Sequence, residues 1–306
     1  MKVLFYPVIN LEAIHCNRIY CDYMLDCLFH GLRSELGADC VDYIKIPIWY
    51  NTVNRSELYG NGFTVYGLLD DIEVDRDDLD SKIASNYFDQ IIVGIHNNRF
   101  NWDGNVGIVE RLRNYGNNVK VVCGNDSPKV DLNLARLAPL FKRELFQNIQ
   151  NVYPISFAIP KEKVCKPDSV FPKTRIISGE MPNHKGVDGW KIKNEEEYYE
   201  MYRQAYYGIT YMKGGWDSLR HYEILMNGCI PLFLDIGGCP QNTLTSLPKD
   251  FLKDFMENNV KIDNGTINVL HNDYQAQEII YEMLEWTERY CTTKVLAEYV
   301  LETGNA

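Results

Sequence analysis

The chain has 306 residues, of which 45% are hydrophobic and 24% charged, with 31 basic against 42 acidic side chains and a formal net charge of −11. That length suits two domains or one large one, with enough apolar residues for a full core. The acidic balance argues against a general nucleic-acid binder and against an anionic membrane surface, since both select a net basic face.

Nine cysteines are scattered without a C-x-x-C pair or zinc-type Cys/His spacing, which points to a reducing compartment and a cytoplasmic location. The first residues, MKVLFYPVIN, turn polar too soon for a leader and lack a cleavage-site pattern. No stretch approaches the ~18–20 apolar residues of a membrane span.

In chain order, residues 2–9 read as a β-rich strand and 17–36 as an amphipathic helix closed by Gly37. Residues 40–48 read as a second strand and 63–69 as a further one. An acidic run over 70–80 leads into a helix that ends near Tyr87. Residues 88–95 (FDQIIVGI) form a buried strand, 106–115 a helix, and 119–124 (VKVVCG) another strand. A helix is expected over 132–146, with Lys142, Arg143 and Glu144 on a charged face, and a last strand over 152–157. Strands alternating with helices imply parallel βαβ units in a doubly wound sheet. Ligands of such sheets sit beyond the strand C-termini.

Residues 158–173 carry three prolines and four lysines with little periodicity, so a boundary near 160 divides the chain into 1–160 and 161–306. The second part reads as a strand at 174–178, a Tyr-rich acidic helix at 195–206 and a strand at 207–212. After the segment 212–235 come a helix at 251–258, short strands near 260 and 267, and one long helix over 274–301. Two α/β halves leave a cleft between them, a common ligand site.

Several signatures are missing. There is no G-x-G-x-x-G after the first strand, and no Walker A, G-x-S-x-G or H-E-x-x-H. Asp75-Arg76-Asp77 and Asp78-Leu79-Asp80 match a D-x-D pattern, but acidic residues before a helix have a simpler cause in capping and the helix dipole. His15, His96 and His184 fall in loops after strands, where imidazole can serve as a general base, and Asp126 has the same standing.

The segment with most chemistry is 212–235, MKGGWDSLRHYEILMNGCIPLFLD. It reads as a glycine turn, a helix capped by Asp217 or Ser218, a stop at Gly228 and a buried strand. Leu219, Tyr222, Leu225 and Met226 form its core stripe, while Arg220, Glu223 and Asn227 share another. A Gly214–Gly215 turn before a helix start that carries an arginine suits a phosphate, since free N–H groups and a bidentate fork converge there. An ordinary surface Arg–Glu pair is the plainer alternative.

The string from Asp217 to Asp235 resembles the C-terminal motif of exostosin-like glycosyltransferases, with their R-x-x-E…G-C-I-P-V signature, and the related motif of GT-B glycosyltransferases. The resemblance covers this one segment. It implies two Rossmann-like domains facing each other across a cleft, the second holding a nucleoside-diphosphate sugar. Arg220 would contact the diphosphate and Glu223 the ribose hydroxyls, with Lys185, Lys213, Gly214, Gly215, Asp217 and Ser218 around them. A hydroxyl acceptor, a glycan or another alcohol, would come from the first half, with one base among His15, His96 and Asp126. No metal and no cofactor beyond the sugar nucleotide are implied. A non-catalytic nucleotide- or glycan-binding protein and a sugar-nucleotide epimerase remain alternatives. Pro231 breaks a local rule, since it falls in a strand expected to be central.

Overall fold

The computed structural model describes residues 1–9, 22–54, 63–96, 99, 103–178, 192 and 194–304. Its first half is built on a six-stranded sheet. The strands are β1 (Val3–Val8), β2 (Cys40–Asp42), β3 (Gln90–Ile95), β4 (Val119–Cys123), β5 (Leu140–Lys142) and β6 (Val152–Pro154), in the order 2-1-3-4-5-6. Every neighbouring pair is parallel. The central strands β3 and β4 are buried throughout, which is why, Gln90 and Lys120 apart, they read as apolar runs rather than alternating ones. Alternate side chains feed opposite layers. Val3, Phe5, Ile92 and Val122 pack on one face, and Leu4, Ile91, Val93 and Val121 on the other. Strand order reverses between β1 and β3, so the switch point lies beside the end of β3 at His96.

Helix α1 (Tyr23–Leu36) starts where Asp22 accepts hydrogen bonds from the N–H groups of Met24 and Leu25, and stops at Gly37 with φ +55°. Among the described residues this half also has α2 (Leu79–Ala84), α3 (Gly104–Arg111) and α4 (Leu132–Leu137).

Three expectations in this half are corrected. The second strand ends at Asp42, and Pro47, which lacks an N–H, opens a 3-10 turn at Pro47–Trp49. Residues 63–69 are turns, with a single bridge from Leu69 to Tyr50, because Thr64 and Gly67 take positive φ of 67° and 64°. The 132–146 helix stops at Ala138, which is extended ahead of Pro139, and the chain re-enters the sheet as β5. Lys142, Arg143 and Glu144 therefore stand at the C-terminal end of a sheet strand, all buried, rather than on a helix face.

The second half has a parallel three-stranded sheet, β7 (Arg175–Ile177), β8 (Ala205–Thr210) and β9 (Ile230–Phe233). Around it lie α5 (Glu195–Arg203), α6 (Leu219–Met226) and α7 (Lys249–Asn259), with a hairpin of β10 (Val260–Asp263) and β11 (Thr266–Val269). Asn264 and Gly265 turn the hairpin at φ +49° and +80°, the pair of positive values that a two-residue hairpin loop needs. Among the described residues β9 pairs only with β8 and is an edge strand. Pro231 thus falls where a missing N–H is tolerated, not in a central strand.

The expected long C-terminal helix is two. After α8 (Asp273–Tyr290) the chain breaks at Cys291–Thr292, because those residues pair with Ile159. The Ile159 N–H donates to Cys291 at 2.9 Å, and the Thr293 N–H to Ile159 at 2.8 Å. The last helix, α9 (Thr293–Glu302), then lies on the first half against α1. Lys120 of β4 donates to the carbonyls of Val300 and Leu301 at 2.7 and 2.6 Å, and Gln90 of β3 donates to Leu301 at 3.0 Å. These bonds satisfy carbonyls that every helix C-terminus leaves open. A side chain at Gly31 would run into the Thr293 carbonyl, so the α1–α9 approach requires that glycine. The Pro-rich stretch 158–173 winds through short 3-10 turns and is tied to the end of α6, with the Cys165 N–H donating to Met226 at 2.8 Å.

Candidate functional site

Helix α6 is buried along its whole length, its polar residues included. Ser218 takes the extended conformation of an N-cap but gives no side-chain cap, and the Asp217 carboxylate turns away to accept the Phe157 N–H at 2.9 Å. Neither residue is the cap expected of it, since Asp217 is drawn to the first half. The C-terminal stop is at Gly228, with φ +62°.

Arg220 is 4% exposed, and its Nε and Nη1 have no hydrogen-bond partner among the described residues. Glu223 is buried as well, so the two do not form a surface pair. A buried guanidinium with open N–H groups costs several kcal/mol unless something fills them. Tyr211 offers a ring face 6.0 Å from the guanidinium carbon. Lys213 adds to the imbalance. Crowding by protein atoms, and then the neighbouring Arg220, push its ammonium pKa down to about 8 against a smaller opposing pull from Glu223. Two cations with open donors at a helix start are what an anionic group binds.

Glu223 is occupied. One carboxylate oxygen accepts from the Thr64 hydroxyl and the other from Tyr198 at 2.9 Å. Burial raises its pKa, while Thr64, Tyr198 and Arg220 oppose the rise. Tyr199 lies 2.6 Å from the Thr64 hydroxyl and donates to Glu195 at 2.8 Å. His221, between the two site residues, is a structural group. Its Nε2–H donates to the Trp216 carbonyl at 2.9 Å, and its Nδ1 meets the Thr210 hydroxyl at 2.9 Å. Burial drops its pKa to about 3, so the ring is neutral.

The start of α6 is clamped to the first half. Arg143 donates to Gly124 at 2.6 Å, to Glu144 at 3.0 Å, to Asp126 and to the carbonyl of Asp217. Its guanidinium lies 4.6 Å from the Phe157 ring centroid. Glu144 in turn accepts the Asp217 N–H at 3.0 Å. The Gly214–Gly215 turn, closed by the Lys213 N–H donating to Gly215 at 3.1 Å, sits against these carboxylates. A side chain at Gly214 would strike Asp126, and one at Gly215 would come within 2.5 Å of Glu144. The glycines therefore admit first-half carboxylates where a phosphate had been expected, and like charge would repel an anion there. Arg220 and Lys213 are the anion-facing part of the segment.

Of the candidate bases, Asp126 is exposed and paired with Arg143. His96 is buried at the end of β3, its carbonyl accepting the Arg99 N–H at 2.8 Å. His15, His184 and Lys185 lie outside the described residues. In the acidic run, Asp75 pairs with Lys82 at 2.6 Å and Arg76 with the buried Asp42 at 2.7 Å. Among the described residues no three His, Cys, Asp or Glu side chains come together as a metal site. Likewise among them, no helix is long and apolar enough to cross a membrane.

Sequence reasoning missed Thr64, Glu195, Tyr198 and Tyr199. The available signal was the run of tyrosines on the acidic α5, whose ring hydroxyls need partners when buried.

No protein-family model and no curated protein matches the sequence. Among solved structures, the chain is similar to an alpha-glucosyltransferase in complex with UDP and a 13-mer DNA containing a central A:G mismatch, at 10% identity and a TM-score of 0.41, over 98% of this chain and 94% of that one. A likeness at that level leaves function to the residues of the site.

Proposed function

We propose that the protein is a glycosyltransferase that moves a sugar from a nucleoside-diphosphate sugar to a hydroxyl acceptor, as in glycan synthesis. The observation that supports this best is Arg220, a buried arginine with open Nε and Nη1 donors. It sits in the segment that resembles the exostosin-like and GT-B donor motif. In this reading Arg220 grips the diphosphate with its planar fork and Lys213 adds charge. The first N–H groups of α6, free of a side-chain cap, face the same anion. Glu223, one turn on, takes the ribose hydroxyls. Arg220 and Lys213 would also stabilise the charge that develops as the diphosphate departs. The acceptor comes from the first half, whose Asp126, His96 or His15 would remove the hydroxyl proton in an inverting reaction. The two α/β halves act as the two domains of a GT-B enzyme, and the reaction uses no catalytic metal.

Titration calorimetry with UDP, GDP and ADP and with their common sugar conjugates tests the site. Wild type is expected to bind one nucleotide series, and Arg220→Ala to lose at least about tenfold in affinity, since a charge-assisted bidentate contact exceeds 1.4 kcal/mol. Equal affinity in both proteins would overturn the assignment. A second reading, nucleotide binding without turnover, is favoured by one observation: Asp126, the exposed candidate base, is tied to Arg143. Release of free sugar from a bound donor, or its transfer to an alcohol, separates the two.

A further inference from the structure

Thr64 is a fully buried β-branched residue at φ +67°, a backbone conformation that such side chains avoid. Strain of this kind persists only where surrounding bonds hold it. Those bonds come from the second half. The Thr64 N–H donates to Glu195 at 2.7 Å, its hydroxyl donates to Glu223 and meets Tyr199, and the neighbouring Phe63 ring stacks on Tyr198 at 5.4 Å. A few residues later the same turn is anchored in the first half. The Gly67 N–H donates to Ile48 at 2.8 Å and the Leu69 N–H to Trp49 at 3.1 Å. The turn therefore reaches from one half into the Glu223 site of the other.

Proton counting shows how the contact differs from a settled core network. Glu223, Thr64, Tyr199 and Glu195 form a line of three oxygen–oxygen contacts, with two hydroxyl hydrogens to fill them. All three become hydrogen bonds only when one carboxyl holds an extra proton. Lys163 compensates Glu195 at 3.0 Å, while the nearest cation to Glu223 on its own helix is Arg220, whose donors stay open. A vicinal diol brings two O–H donors to one carboxylate and removes the shortage.

Resting on the nucleotide-site reading above, we propose that Thr64 is a resident plug: its hydroxyl holds Glu223 in place of a ligand diol, and ribose binding displaces it. Arg220 and Glu223 lie at i and i+3 on one helix, so the phosphate and diol ends of one nucleotide meet neighbouring positions. The plug reduces apparent affinity by the fraction of molecules in which Glu223 is free.

The test compares wild type, Thr64→Gly and Thr64→Asn by calorimetry, using the nucleoside diphosphate that wild type binds, its 2′,3′-dideoxy counterpart and inorganic pyrophosphate. Glycine removes both hydroxyl and strain. Asparagine tolerates the left-handed backbone and keeps a donor. Thr64→Gly is expected to bind the ribonucleotide about tenfold tighter than wild type, with the dideoxynucleotide and pyrophosphate unchanged and Thr64→Asn close to wild type. Equal ribonucleotide affinity in wild type and Thr64→Gly overturns the plug. So does an equal gain for the dideoxy compound, which would make the turn a steric cover. With Arg220→Ala still weakening the nucleotide, either result leaves the nucleotide site standing. Absence of nucleotide binding by any of the proteins overturns both. Thermal melts of the variants establish that each is folded before titration.

Discussion

The backbone N–H of Asp217 donates to the buried carboxylate of Glu144 at 3.0 Å, so the start of the helix that carries Arg220 is fixed by a residue of the other half. Glu144 also accepts from Arg143, which itself donates to the carbonyl of Asp217. The two residues that follow strand β5 thereby fix the start of the helix that carries Arg220. Glu144→Ala leaves the buried Asp217 N–H unpaired and takes one of its two carboxylate partners from the buried Arg143 guanidinium. The expected cost is about 3–5 kcal/mol in urea unfolding, against a smaller loss for Glu144→Gln, which keeps an acceptor oxygen.

Two adjacent glycines respond differently to the same substitution. A Cβ at Gly214 meets the carboxylate end of Asp126, whose side chain is 62% exposed and can swing aside. A Cβ at Gly215 comes within 2.5 Å of Glu144, which is 1% exposed and held by Arg143 and Asp217. Gly215→Ala should lose about 1–3 kcal/mol as overpacking, whereas Gly214→Ala should stay within about 0.5 kcal/mol of wild type. Denaturant midpoints at equal m-value decide the comparison.

Burial lifts the Asp217 carboxyl to about 7, with Glu144 adding to the rise and Arg143 and the Phe157 N–H opposing it. A raised folded-state pKa means that the folded protein holds a proton the unfolded chain has lost. Its stabilising share is complete below the ordinary pKa of 3.8 and declines as pH rises through about 7. His221, depressed to about 3, contributes the opposite slope at acid pH. The difference between wild type and Asp217→Asn isolates the first effect. From about pH 5 to about pH 7 the asparagine variant should gain on wild type by roughly 1.4 kcal/mol per pH unit in urea unfolding. Parallel curves would refute it.

Lys120 is buried under α9 and donates to two of its terminal carbonyls. Lys120→Met fills similar space without the donors, so the Val300 carbonyl loses its Lys120 bond while Leu301 keeps the one from Gln90. A loss of about 2–3 kcal/mol is expected, with earlier proteolytic trimming of residues 293–304 than in wild type. A variant with intact C-terminus and unchanged stability would show that the carbonyls find other partners.

The parallel α/β character of the first half was legible in residues 88–95 and 119–124, because strands buried on both faces are dominated by apolar residues, here interrupted inside the strands only by Gln90 and Lys120. Gly228 announced the end of α6, since few other residues take φ near +60° without cost. The 140–142 strand was hidden inside a helical pattern, although Pro139 marked the break. Arg220 and Glu223 could be singled out from spacing and resemblance. Their states could not: i,i+3 spacing predicts a pair, whereas burial and Thr64 separate the two residues' partners. Thr64 lies 159 positions from Glu223 along the chain, and no local pattern specifies a contact of that range. What the sequence determined by itself was each segment's backbone preference and its apolar face, both local properties. The tertiary structure alone decided which charges lost their water and which found a partner, and that left Arg220 open and Glu223 closed.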